Sequence, residues 1–285
     1  MCQTLPLVRN RVTQLQPGSN PLNERFRAMT DGQPRGAVVP ARPGITPEAF
    51  DRAHGTTAKS ELMWRMAREA YGADYPGELQ PWGMTTWWTL GRFVSGLRVG
   101  AGQHLLDLAC GRGGVGLWLA RATGAQLTGV DWSPAAVREA AARAPVFVPA
   151  GRASFAVGDL AATGLESGSI DAAVCADAIF FATDRVAVFA EMARVLRPGA
   201  RFVFTADEST DAGNPTAVPD WAPIAEAGGL IVESREEIPH WREDLQRMYD
   251  TWIANIDEVR DSLGDLVEGQ PDVVAGEVRV RAEAE

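Results

Sequence analysis

The sequence predicts an α/β protein built on a Rossmann-like, doubly wound, mostly parallel sheet with helical lid elements. Three observations predict it. Five short apolar runs follow residue 100, at 104–108, 126–130, 154–157, 170–176 and 201–205. Helical stretches at 114–122, 134–143 and 185–196 separate most of them. A glycine-rich turn joins the first run to the first of these helices. Near-continuous apolar strands alternating with helices need cover on both faces, which is the signature of a parallel sheet.

The elements before the sheet are helical and irregular. Residues 1–45 read as an irregular, Pro-rich leader. Pro6, Pro17, Pro21, Pro34, Pro40 and Pro43 interrupt it, and each lacks a backbone N–H and restricts its predecessor. It is either loosely draped or partly folded over the site. Residues 46–98 read as an N-terminal helical lid. Thr46-Pro47-Glu48 places a capping residue before a first-turn proline. Leu62, Met63, Met66, Ala67 and Ala70 then share one helical face. Residues 99–235 form the core, with 230–232 as a sixth strand. Residues 236–268 read as a helical lid insert and 269–285 as a tail. In the tail, Val278 and Val280 suit a strand, while Val274, Val278 and Ala282 suit a helix. The strand pair that usually closes such a sheet is not evident after Leu230.

Bulk properties narrow the partners. The 285 residues carry a net charge of −10 and a pI near 4.9. An acidic surface repels phosphate backbones, which argues against nucleic acid. No apolar run approaches the ~20 residues of a membrane span, and the first residues lack the charged-then-apolar order of a signal peptide. Cys2, Cys110 and Cys175 suit neither a zinc site nor a disulfide framework, so no metal is expected and free thiols in the cytoplasm are. Oligomeric state leaves no trace in the sequence.

The turn that follows the first strand carries the chemistry. Leu105–Ala120 reads LLDLACGRGGVGLWLA, with Gly111, Gly113 and Gly116 in a G-x-G-x-x-G arrangement. Glycines there let backbone approach a ligand at the C-terminal edge of the sheet. The spacing alone also fits a nicotinamide-dependent oxidoreductase. The neighbouring acids favour another ligand. Asp107 would disfavour a pyrophosphate and suits an ammonium group. Asp131 ends the next strand, where a carboxylate can accept from both ribose hydroxyls, and Trp132 can stack on adenine. Asp159 ends the third strand and can accept from the adenine amino group. Three carboxylates at three strand ends suit a cationic adenosine ligand without phosphate.

With these motifs the chain resembles the class I S-adenosylmethionine-dependent methyltransferases, of the small-molecule, natural-product type. The resemblance covers residues 101–206 and rests on 107–113, 129–134, 158–160, 170–177 and the Val195-Leu-Arg-Pro-Gly-Ala200 turn. It implies that Asp107, Ala109, Cys110, Gly111 and Gly113 hold the methionine part. It places Asp131 and Trp132 at ribose and adenine, Gly158, Asp159 and Leu160 around the base, and the backbone of Ala176 near the sulfonium. The family often has glycine where this chain has Ala109.

The implied reaction is methyl transfer to a small acceptor. Trp82, Trp87, Trp88, Phe180, Phe181, Trp241 and Trp252 suggest that the acceptor is apolar or aromatic. A base is needed only for a hydroxyl, ammonium or acidic carbon. Asp177, after the fourth strand, His54 and His240 are the candidates; His104 begins the first strand, at the wrong edge. A non-methylating cyclisation or decarboxylation on the same cofactor is the alternative chemistry.

Overall fold

The computed structural model describes residues 2–10, 34–39, 45–57, 61–210 and 217–263, the first of these segments and residues 262–263 as backbone. Its strands are β1 (Cys2–Asn10), β2 (His104–Leu108), β3 (Gln126–Asp131), β4 (Ala153–Val157), β5 (Ile170–Cys175), β6 (Leu196–Phe204), β7 (Ala206–Glu208) and β8 (Leu230–Glu237). Its α-helices are α1 (Pro47–Thr57), α2 (Leu62–Tyr71), α3 (Trp87–Leu97), α4 (Gly114–Thr123), α5 (Pro134–Phe147), α6 (Arg185–Val195), α7 (Ala222–Ala227), α8 (Trp241–Ala254) and α9 (Ile256–Leu263).

The sheet runs β4-β3-β2-β5-β6-β1-β7, with β8 also paired to β1. The five strands β4 to β6 in this order are parallel. All five strands and the three intervening helices stand where the sequence places them, except that β6 begins at Leu196, within the segment read as a turn. Apolar side chains on both faces of β2, β5 and β6 explain the parallel sheet: Leu105, Leu106, Ala172, Ala173, Phe202 and Val203 are all fully buried. No helix separates β4 from β5. Two caps written in the sequence set helix starts that face the sheet. Ser133 Oγ accepts from Ala136 N–H ahead of Pro134, and Asp184 Oδ1 accepts from Ala187 N–H.

The leader departs from expectation. Residues 2–10 are read as irregular, yet they form β1. It lies antiparallel between β6 and β8, pairing Val8 with both Phe202 and Val232. The strand that closes the sheet beside β6 therefore comes from the start of the chain, and β8 is its outer partner. Two open edges, those of β6 and β8, are what a proline-containing segment with little local preference satisfies. Residues 34–39 are also pinned to the core. Val39 N–H donates to Thr183 O, Arg185 N–H donates to Ala37 O, and the buried Arg185 guanidinium donates to Gly36 O and Phe180 O while lying over Trp221. The tail at 269–285 lies outside the described residues.

Helices α1 and α2 cover the C-terminal edge of the sheet, and α2 packs on α8. Leu62, Met63, Trp64 and Met66 form a small apolar cluster with Val259 of α9. Both predicted lid segments thus meet above the strand ends.

Candidate functional site

The glycine turn is shaped by tight packing. A side chain on Gly114 would collide with the Leu79 carbonyl, and one on Gly116 with the Asp107 carboxylate. Gly111 and Gly113 have φ of 51° and 75°, and Ala109 shares that left-handed region at 58°. Glycine adopts this conformation freely, whereas alanine is strained there. That is the physical reason a glycine is usual at this position. Arg143 holds the turn against the lid segment: it donates to Arg112 O, Glu78 O and Leu79 O. Burial, and then Arg112, push its guanidinium down to about 10.

The turn opens on a cavity of about 570 Å³ between the strand ends and the lid. Ala109, Gly111, Asp131, Trp132, Gly158, Leu160, Ala176, Asp177 and His54 all line it. Asp131 is buried at the tip of β3. Its Oδ2 accepts from Gly111 N–H at 2.8 Å and its Oδ1 from Ser133 N–H at 2.9 Å. Burial raises its pKa against the pull of these amides.

Other predicted residues stand elsewhere. Asp107 does not line the cavity. Its Oδ2 accepts from Gly116 N–H beneath the turn, and burial pushes its pKa up to about 7. Asp159 is exposed, and its Oδ1 accepts from Ala161 N–H in a local turn. The expected ring of three carboxylates reduces to Asp131. Cys110 and Gly113 support the turn from within: the Cys110 thiol is buried behind it and Gly113 packs on Ala140. His240 is exposed at the start of α8, outside the cavity lining. His104 donates or accepts at Thr128 near the opposite edge of the sheet.

Asp177 is half-buried and lines the cavity, but both its oxygens are engaged. Thr205 Oγ1 donates to Oδ1 at 2.6 Å. Met84 N–H at 2.8 Å and Thr85 Oγ1 at 3.2 Å donate to Oδ2. Its own N–H donates to Thr205 Oγ1. The carboxylate ties the tip of β5 to the lid segment ahead of α3, and burial raises its pKa. A side chain on Gly83 would strike it.

His54 sits on the other side of the cavity, edge-on to Trp82 with ring centroids 4.5 Å apart. Burial first, then Arg112, push its pKa down to about 4, so the imidazole is neutral at pH 7. Phe50 contacts Trp132, Trp82 and Phe181 through tilted and edge-on rings. Of the aromatics singled out in the sequence, Trp82, Phe180, Phe181 and Trp252 line the cavity. Trp87 instead packs on Trp118, and Trp88 and Trp241 pack on the core. Phe50, Met63, Trp64, Met248 and Tyr249 complete the wall. Their helical periodicity was the only signal available, and it marks a buried face without saying what it faces. Among the described residues no group of three or more His, Cys, Asp or Glu could hold a metal, and no helix is long and apolar enough to cross a membrane.

Residues 105–199 match a protein-family profile described as a methyltransferase domain. The chain is 32% identical over 137 residues to an O-methyltransferase of Pyrenophora dematioidea, covering 47% of this chain and 51% of that one. It is 37% identical over 105 residues to methyltransferase GfsG of Streptomyces halstedii, covering 37% and 38%. It spans about half the length, or less, of the curated relatives it matches. Among solved structures, the [4+2]-cyclase SpnF superposes with a TM-score of 0.64 at 20% identity, over 85% of this chain and 93% of that one. A methyltransferase of Thiobacillus denitrificans bound to S-adenosyl-L-homocysteine gives 0.52 at 21%, over 76% and 91%. At these identities the two superpositions establish the fold.

Proposed function

We propose that the chain, whose residues 105–199 match a methyltransferase-domain family profile, transfers a methyl group from S-adenosylmethionine to an oxygen of a small, apolar or aromatic acceptor. The observation that carries this reading is the Asp131 carboxylate, buried on the wall of a 570 Å³ cavity and bonded to the glycine turn. The residues present fit the cofactor. Asp131 can accept from a ribose diol, and Trp132 and Leu160 flank the space beside it for a flat base. Ala109 and Gly111 carry no side chain larger than a methyl where the backbone must approach the ligand.

The bound cofactor supplies an activated methyl on a sulfonium, so the protein's task is orientation and exclusion of water. Phe50, Trp82 and Phe181 close the cavity beside Trp132. Met63, Trp64, Met248 and Trp252 give its lid-side wall an apolar surface suited to an acceptor with little charge. Oxygen as the methylated atom is supported by the O-methyltransferases among the relatives. His240 is exposed and outside the cavity lining, and Asp177 serves as an anchor. These assignments leave His54 as the titratable side chain with a buried, uncommitted nitrogen on the wall.

The test is calorimetry with S-adenosylhomocysteine and NAD, followed by transfer of radiolabelled methyl to a panel of phenols and polyketide-like hydroxy compounds. Binding of S-adenosylhomocysteine alone, weakened by Asp131→Asn by roughly 1–3 kcal/mol, is expected. Binding of NAD instead defeats the cofactor assignment, and an Asp131→Asn protein of full affinity defeats the assignment of Asp131 to the ribose. Tight binding without label transfer to any acceptor turns the reading toward a non-methylating reaction.

A further inference from the structure

The first turn of a helix leaves N–H groups that need acceptors from outside it. In α5, Pro134 has no such group, the Ala136 amide donates to Ser133 Oγ, and the Val137 amide donates to Ser133 O. The Ala135 amide finds its acceptor on the lid. Asp51 Oδ1, from α1, accepts it at 2.6 Å and accepts the Ser133 hydroxyl at 2.9 Å. Ser133 is fully buried and Asp51 half-buried. A carboxylate suits this place, because a helix N-terminus favours negative charge and bonds to an ionised acceptor are the stronger kind. The Ala135 amide does most to hold the Asp51 carboxyl below its ordinary value, so it is ionised at pH 7.

Other residues of the same helix belong to the cavity. Ala49, Phe50, Ala53 and His54 line it together with Asp131 and Trp132. The Phe50 ring lies 5.2 Å from that of Trp132. Ser133 joins the two acids: its hydroxyl donates to Asp51 while its N–H donates to Asp131 Oδ1. Asp131 Oδ2 in turn accepts from Gly111 N–H. A line of hydrogen bonds thus runs from the lid through Ser133 and the tip of β3 to the glycine turn.

We infer that Asp51 is a latch: it clamps the lid helix α1 onto the loop carrying Asp131 and Trp132, and so retains the nucleoside end of the bound cofactor. The inference rests on the function proposed above. Asp51 is outside the cavity lining and is a positioning residue, acting through Ser133 and through the α1 residues that do line the cavity. Lids belong to the less stable parts of a fold, and their opening commonly sets the rate of release. The two bonds to Asp51 exist only while α1 lies on the start of α5. Their loss therefore raises the share of time for which the lid is lifted. Both bonds end on the same oxygen, so an amide oxygen in its place can accept both donors without the charge.

The experiment measures dissociation of S-adenosylhomocysteine and of 5′-methylthioadenosine, which lacks the amino-acid end, by stopped flow. Release of both ligands from Asp51→Ala is expected to be roughly tenfold faster than from the wild type, the scale of losing bonds to a charged acceptor. Asp51→Asn should recover most of that loss. Hydrogen exchange at 47–57 should be faster in Asp51→Ala while exchange in β2 stays unchanged. Unchanged release despite faster exchange at 47–57 overturns the proposal. So does faster release of S-adenosylhomocysteine alone, since the latch acts on the nucleoside both ligands share. An Asp51→Asn protein no better than Asp51→Ala also overturns it. Should Asp51→Ala fail to fold, exchange in the wild type decides. S-adenosylhomocysteine should slow 47–57 and 131–137 together, and protection of 131–137 alone overturns the latch. A wild type that binds neither adenosyl ligand defeats the cofactor reading itself. Exchange at 47–57 in the protein alone then judges the clamp: faster in Asp51→Ala supports it, and unchanged overturns it.

Discussion

Replacing Asp177 separates an anchoring carboxylate from a catalytic base. In Asp177→Ala three hydrogen bonds disappear, those from Thr205 Oγ1, Met84 N–H and Thr85 Oγ1. At about 1 kcal/mol net for each, the loss is about 3 kcal/mol. For a domain of this size that lowers Tm by about 6–12 °C. Asp177→Asn behaves differently. Its amide oxygen can keep Met84 and Thr85, and its NH₂ group can donate to Thr205 Oγ1, which already accepts from the backbone at 177. Burial raises the Asp177 pKa above its ordinary 3.8. The native state therefore holds this proton more tightly than the unfolded state. Wild-type stability falls as pH rises from 3.8 through the raised native value. The uncharged asparagine avoids that loss, so Asp177→Asn is expected to match or exceed wild-type stability at pH 7. Thermal unfolding by circular dichroism, with S-adenosylhomocysteine affinity measured in parallel, reads both effects. An Asp177→Ala protein with unchanged Tm would refute the anchor. So would an Asp177→Asn protein with full cofactor affinity and a hundredfold loss of methyl transfer, since such a loss is the size a missing general base produces.

Other perturbations follow from the same geometry. Ala109→Gly relieves a left-handed alanine and should raise stability by about 1 kcal/mol, read as a rise in Tm; a fall would contradict the strain. Asp107→Asn removes a carboxyl whose pKa burial pushes up to about 7. Wild-type stability should decline between about pH 4 and 7, by at most about 1.4 kcal/mol per pH unit from this group, and denaturant midpoints of the variant should decline less over that window. Arg185→Met strips donors from Gly36 O and Phe180 O. A loss of about 2–4 kcal/mol and earlier proteolysis near residue 36 are expected, and unchanged proteolysis would show that the segment is held by other contacts.

Some of this molecule was written locally and could be read locally. The five parallel strands were legible because burial on both faces forces unbroken apolar runs, and their helices because they fill the stretches between those runs. The glycine turn was legible because residues 109–116 must curl tightly, and Asp131 because its place at a strand end follows from the length of that strand. Helices α8 and α9 were legible as amphipathic stretches, though only the structure shows α8 against α2.

What tertiary structure decided concerns direction and distance, on which a linear pattern is silent. Asp107 lies within β2, Asp131 ends β3 and Asp159 follows β4, yet of the three only Asp131 lines the cavity: Asp107 turns beneath the glycine turn to the Gly116 amide, and a local turn holds Asp159. The strand β1 has no strong signal of its own; the open edges of β6 and β8, made by residues two hundred positions away, give it a place. His54 and Arg112 are far apart in sequence, His54 read there only as a candidate base and Arg112 not singled out. Packing the lid on the glycine turn buries both and leaves His54 Nδ1 and Arg112 Nε and Nη1 unpaired, and the cost of an unpaired buried donor is a property of that packing.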